Sequence, residues 1–258
     1  MLDEFNTLTN ESKNRLISFR KISKGCLPIL TESGQLLQKC FSDKDAIPLW
    51  TIVCHDVLKR IRENIFFISE SNPPQTNTSI PLKLCIRSVF SDLILGLFVI
   101  SHINDTECIA KLVDSLDYAA LEGKIKAAEC EMEFYTHASD SKYSEFFTPK
   151  IDSLKAEIDQ IRKKYASTKP NEIKRWSSIY RLAKMLKEST DITISQCYCV
   201  LYGPFKLLSQ TEHYAPSNRH ESYFSCSSDP FFFHKHALQY EYAINALCEH
   251  INLTVKTI

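Results

Sequence analysis

Residues Ile151–Tyr165 read IDSLKAEIDQIRKKY, and the apolar positions Ile151, Leu154, Ile158, Ile161 and Tyr165 stand 3, 4, 3 and 4 residues apart. That alternation marks a helix that buries one narrow stripe against a second helix. The second helix lies upstream, where Leu121, Ile125, Ala128, Met132 and Tyr135 repeat at 4, 3, 4 and 3. Both stripes are surrounded by charged residues. The pattern predicts an antiparallel helical hairpin over 105–167, with its tip near His137–Ser144, projecting as a subdomain from a larger body.

Working outward, the whole chain reads as all-α. It holds only 5 glycines in 258 residues. Hairpin turns and bulges in sheets draw on glycine, whereas helices need it at little more than their C-terminal caps. Apolar residues make up 44% and charged residues 24%, the balance of a globular chain long enough to bury a large core. We therefore expect a multi-helix bundle forming a single domain over 1–258, with a minor boundary or mobile loop at 72–81. Lysine plus arginine equals aspartate plus glutamate, at 31 each. No overall field draws the chain toward nucleic acid or an anionic membrane. The 10 cysteines form no CxxC pair and read as small buried hydrophobes in a reducing compartment. With Leu93–Ile100 too short an apolar run to span a bilayer, a cytoplasmic protein is expected.

Apolar spacing and breakers divide the chain further. A helix over Glu11–Lys24 is expected to stop at Gly25, followed by a short one over Pro28–Phe41. A long helix covers Asp45–Ser71, and NPPQTNTSIP at Asn72–Pro81 reads as a loop. The most apolar helix, Leu82–His102, should be central. Asp105 and Thr106 can cap the first hairpin helix. One helix is expected over Glu172–Glu188. Another runs from Thr193 to Glu212, kinked or interrupted at Gly203–Pro204 because proline lacks the backbone donor. Asp229–Pro230 signals the start of the last.

Chemistry concentrates at Cys197–Ser222, where a helix delivers Ser209 and His213 one turn apart and a loop carrying Tyr214, Asn218, Arg219 and His220 follows. Tyr202 falls on the same face. His213 suits an acid–base role with Ser209 orienting it; in the bland reading Ser209 bonds back to a carbonyl and His213 ends the helix. Arg87, inside the most apolar helix, needs a partner. That partner is Asp92, a carboxylate from another helix, or an anion bound with the help of Arg219. His234 and His236 form an HxH pair, but i and i+2 diverge on a helix, so no metal is expected. Lys163, Lys164, Lys169, Lys174 and Arg175 form a basic cluster beside Trp176, which reads as a solvated helix end or as a contact for nucleic acid. The P-loop, GxGxxG, HExxH and GxSxG motifs are missing, and no cofactor is expected.

Three segments carry a resemblance: IRSVFSDLILGLFVI around Arg87, YRLAKMLKE at Tyr180–Glu188, and YGPFKLLSQTEHYAP at Tyr202–Pro216. Together they resemble a group of uncharacterised bacterial all-helical proteins in which a helix ends in Tyr-x-x-x-Ser-x-x-x-His. Over residues 82–220 the chain is similar to HEPN-type bundles, many of which serve in phage defence and toxin–antitoxin systems, often as ribonucleases. It departs from them in one respect: no arginine here is followed by a histidine at the four-to-six-residue spacing of the ribonuclease motif. The resemblance implies a helical component of a prokaryotic antiviral defence or toxin–antitoxin module, acting mainly through a protein partner or as a homo-oligomer. The alternatives are a metal-independent nuclease or other hydrolase built on His213, and a ligand-sensing bundle.

Overall fold

The computed structural model describes residues 10–41, 47–71, 76–137, 141–209 and 230–257. Among these, all regular structure is helical: α1 Asn10–Phe41, α2 Leu49–Glu70, α3 Thr76–Ser101, α4 Thr106–His137, α5 Ser141–Lys164, α6 Pro170–Arg175, α7 Ile179–Lys187, α8 Ile192–Ser209 and α9 Pro230–Thr257. The fold is an all-α multi-helix bundle. It divides into two compact units, one of residues 1–103 with 182–258 and the other of residues 104–181.

In the first unit α1 packs on α2 and α9, while α3 meets α2, α8 and α9. The central place of α3 follows from its composition, since every residue from Asp92 to Ile100 is buried. Pro81–Ser101 is long and apolar enough to cross a membrane, yet two-thirds of that stretch is buried within the protein, as a core helix must be. Asp92 on its flank accepts hydrogen bonds from Arg60 Nη2 at 2.8 Å and Nε at 3.2 Å. At Gly96 the neighbouring helices come closest: a Cβ there would lie 2.9 Å from Leu247 Cδ2 and 3.0 Å from Val57 Cγ1.

The second unit is built on the hairpin. Leu121, Ile125, Ala128, Ile151 and Ile158 form its buried seam, with Met132, Tyr135, Leu154, Ile161 and Tyr165 packed alongside. Asp105 caps α4 through the Cys108 amide at 2.9 Å. The fully buried Tyr118 accepts hydrogen bonds from Arg162 Nη2 and Nε at 3.0 and 3.2 Å. Ile173 of α6 closes the cluster. Two members of the basic cluster are already neutralised here, Lys164 by Asp114 and Lys174 by Glu122.

Several boundaries differ from the sequence expectation. Helix α1 runs unbroken through Gly25 and Pro28, because Leu16, Phe19, Ser23, Cys26, Leu30, Ser33 and Leu37 keep one buried stripe on both sides of the proline. That stripe outweighs one lost backbone hydrogen bond. Helix α8 likewise passes through Gly203–Pro204 without interruption. Part of the expected loop at 72–81 is helical, since α3 begins at Thr76 and contains Pro81; residues 72–75 lie outside the described residues. The helix expected over Glu172–Glu188 is two, α6 and α7. The break falls where the Ser177 amide donates to Ser115 Oγ at 3.0 Å rather than to a helical carbonyl.

Candidate functional site

Three positions on α3, Lys83, Arg87 and Phe90, are spaced 4 and 3 and so share one face. Arg87 reaches the last residue of α8: its Nε donates to Ser209 Oγ at 3.0 Å. Ser209 Oγ in turn donates a hydrogen bond to the Phe205 carbonyl at 2.8 Å, and the Arg87 guanidinium lies 5.2 Å from the centre of the Phe205 ring. A cation at a helix C-terminus faces the negative end of the dipole, so the local field favours this placement. One turn earlier on α3, Lys83 is only 2% exposed, with its ammonium 5.6 Å from the Phe232 ring.

The opening turns of α9 complete the cluster. His236 is buried, edge-on to Phe232 at 4.3 Å and to Phe90 at 5.6 Å. Burial pushes its pKa down to about 4, with Lys235 acting in the same direction and the Gln239 contact opposing. The imidazole is therefore neutral at physiological pH. Its Nδ1 lies 2.7 Å from Gln239 Oε1; with a carbonyl oxygen accepting there, Nδ1 carries the proton and Nε2 keeps its lone pair. Two cations, a neutral imidazole and a hydroxyl thus gather where the chain leaves α8 and enters α9.

Of the residues singled out in the sequence, the structure brings Arg87 and Ser209 into contact. Tyr202 stacks on Tyr198 with ring centres 5.5 Å apart. His213, Arg219 and His220 lie outside the described residues. Asp92, one candidate partner for Arg87, is engaged by Arg60 instead. The HxH pair separates as helical geometry requires: His234 Nε2 meets Ser18 Oγ at 3.1 Å while His236 turns to Gln239. Sequence reasoning passed over Lys83, although its place one turn before Arg87 was the available signal. Chemically, the Ser209 hydroxyl is a bridge, accepting from the Arg87 guanidinium and donating to the Phe205 carbonyl.

A second feature lies at the end of the hairpin, where α4 finishes and α5 begins. Tyr135 and Phe147 stack across the seam at 6.3 Å. Beside them Phe134 and Phe146 are 68% and 66% exposed, each edge-on to its buried or half-buried neighbour. Glu131, Glu133, Glu145 and Lys150, close to these rings in sequence, are exposed. No family model matches the sequence. No curated protein and no solved structure is detectably similar to it either.

Proposed function

We propose that this chain acts by binding, as a helical component of a prokaryotic defence or toxin–antitoxin module, and that the aromatic end of the α4–α5 hairpin is its recognition element. The observation that carries the binding reading is the exposure of Phe134 and Phe146 beside the hairpin's buried seam. Moving one such ring from water into a partner's pocket is worth about 1.5–3 kcal/mol. Within 131–135 and 145–150 three exposed glutamates stand against one lysine, a balance that favours an apolar pocket on a protein edged by lysine or arginine over an anionic bilayer. The prokaryotic setting rests on the resemblance of residues 82–220, and the cytoplasmic setting on the cysteine-rich sequence.

The hydrolase alternative draws its support from the meeting of Arg87 and Ser209. Its acid–base group would be His213, with Ser209 orienting it and Arg87 or Arg219 holding a phosphate.

The test is site-specific photo-crosslinking inside the source cells, with benzoylphenylalanine at position 134 or 146 and, as control, at the exposed Gln160 of the same hairpin. One dominant protein adduct is expected from 134 and 146 and none from 160, and it should weaken when Glu131 and Glu133 become lysine. Adducts of equal strength from all three positions, adducts to lipid, or no adduct at all would overturn the reading.

A further inference from the structure

Helix α8 carries a single charge, Lys206, in 18 residues, yet only Ile194, Cys197, Leu201 and Leu208 are buried. Those four lie on one side. On the opposite side Ile192, Gln196, Cys199, Gly203 and Leu207 are exposed at spacings of 4, 3, 4 and 4, with Ile192 at 74% and Leu207 at 53%. This is the repeat of a helix–helix seam, turned outward. A helix apolar on two opposite faces is normally covered on both. The seam continues onto α9, where Tyr242 Oη donates to Gln196 Oε1 at 2.9 Å and Leu238 is also exposed. A Cβ on Gly203 would meet nothing within 4 Å, so a second helix can approach the backbone there.

We infer that this face is the interface of a homodimer, α8 of one chain lying antiparallel on α8 of a second copy. The self-complementary register argues for that occupant. About a two-fold axis beside Cys199, Ile192 falls opposite Leu207 of the second copy and Gln196 opposite its Gly203. Large thus meets large at the ends, and the single amide meets the residue with no side chain. Lys206 falls opposite Thr193 of the second copy, so no like charges face each other. Ile192, Leu207, Leu238 and Tyr242 are 74, 53, 48 and 40% exposed, a patch in the few-hundred-Å² class that marks interaction sites, and two such patches meet near the roughly 1,000 Å² lower limit of a specific interface. Area alone does not set affinity, so the concentration range of the test has to be wide. This interface is built from residues of the first unit alone and does not rest on the hairpin's role.

Sedimentation velocity of the full chain from 1 to 200 µM tests it directly. A monomer of 29.7 kDa passing to twice that mass across the range is expected. Ile192→Glu and Leu207→Glu, both exposed and thus compatible with folding, should each weaken the dimer about ten-fold or more. The two Cys199 residues would sit about 8–10 Å apart across the axis, so a short bismaleimide should link them, and Cys199→Ser should abolish the product. A monomer at 200 µM overturns the inference, as does a dimer indifferent to both glutamates. So does a cross-link that survives Cys199→Ser through the exposed Cys130.

Discussion

Replacing Gly96 by alanine should destabilise the protein, although the same change at other helical glycines should stabilise it. Alanine in a helix interior is favoured over glycine by about 1 kcal/mol. At Gly25 and Gly34 of α1 an added Cβ meets nothing within 4 Å, so each should gain roughly 0.5–1 kcal/mol. At Gly96 the new methyl would lie 2.9 Å from Leu247 Cδ2 and 3.0 Å from Val57 Cγ1, against about 3.5–4.0 Å for an ordinary carbon contact. Leu247 and Val57 are both fully buried and have no solvent to turn into. Overpacking of this kind costs about 1–3 kcal/mol, which offsets the helical gain and leaves a net loss of up to about 2 kcal/mol. Urea unfolding of Gly96→Ala, Gly25→Ala and Gly34→Ala, followed by far-ultraviolet circular dichroism, gives the comparison. All three sit in the same unit, so one transition reports them. Leu247→Val, which withdraws one clashing methyl, should recover part of the loss in the double variant. If Gly96→Ala proves as stabilising as Gly25→Ala, the close approach of α2, α3 and α9 is wrong.

Two further outcomes follow from polar contacts. His250 Nδ1 lies 2.7 Å from the Ala246 carbonyl and Nε2 3.0 Å from Asp191 Oδ2; both partners only accept, so the ring binds as a cation. Burial opposes that charge, but the Asp191 hydrogen bond, the Ala246 carbonyl and the Asp191 charge prevail and raise the His250 pKa above 6.5. The His250 hydrogen bond and the Ile194 amide hold Asp191 below 3.8. The histidine's share of stability is full below pH 6.5 and fades as pH rises through its folded pKa; the aspartate's share fades as pH falls below 3.8. His250→Gln should therefore cost about 0.5–1 kcal/mol at pH 5.5 and less at pH 8.5, and a thermal-melt series showing a loss that grows with pH would contradict this. Ser209→Ala should cost about 0.5–1.5 kcal/mol by removing the hydrogen bond from Arg87 Nε, and a double-mutant cycle with Arg87→Met should show a coupling of at least about 0.5 kcal/mol.

The hairpin was legible because each of its helices buries one stripe of period 3.5, a signal that Leu121–Tyr135 and Ile151–Tyr165 carry without help from the rest of the chain. Helix ends were less so. Gly25, Pro28 and Pro204 are local stop signals, and they lost to stripes that continue on both sides of them; the packing that decides this is not local. The opposite error at Trp176–Ser178 has the same origin. The sequence reads as one helix, but the Ser177 amide finds Ser115, a residue 62 positions away. At the polar cluster, Arg87 and Ser209 each stood out, yet 122 residues separate them and no pattern announces their contact. Lys83 escaped notice because a lysine near the start of an apolar helix reads as solvent-facing, whereas here it lies in the interior.

The pairing of α1 with α9 has a consequence for the order of assembly. Every contact described for the hairpin unit joins residues within 104–181, whereas α1 waits for a partner made nearly at the other end of the sequence. At synthesis rates of about 5–20 residues per second, the stripe of Leu16, Phe19, Cys26, Leu30 and Leu37 lacks α9 for on the order of ten to forty seconds. In that interval α1 can pack on α2 alone, and the side that α9 will cover stays open. Chaperone capture during translation should therefore fall on α1, and a variant that slows the arrival of α9 should aggregate without altering the stability of the finished protein.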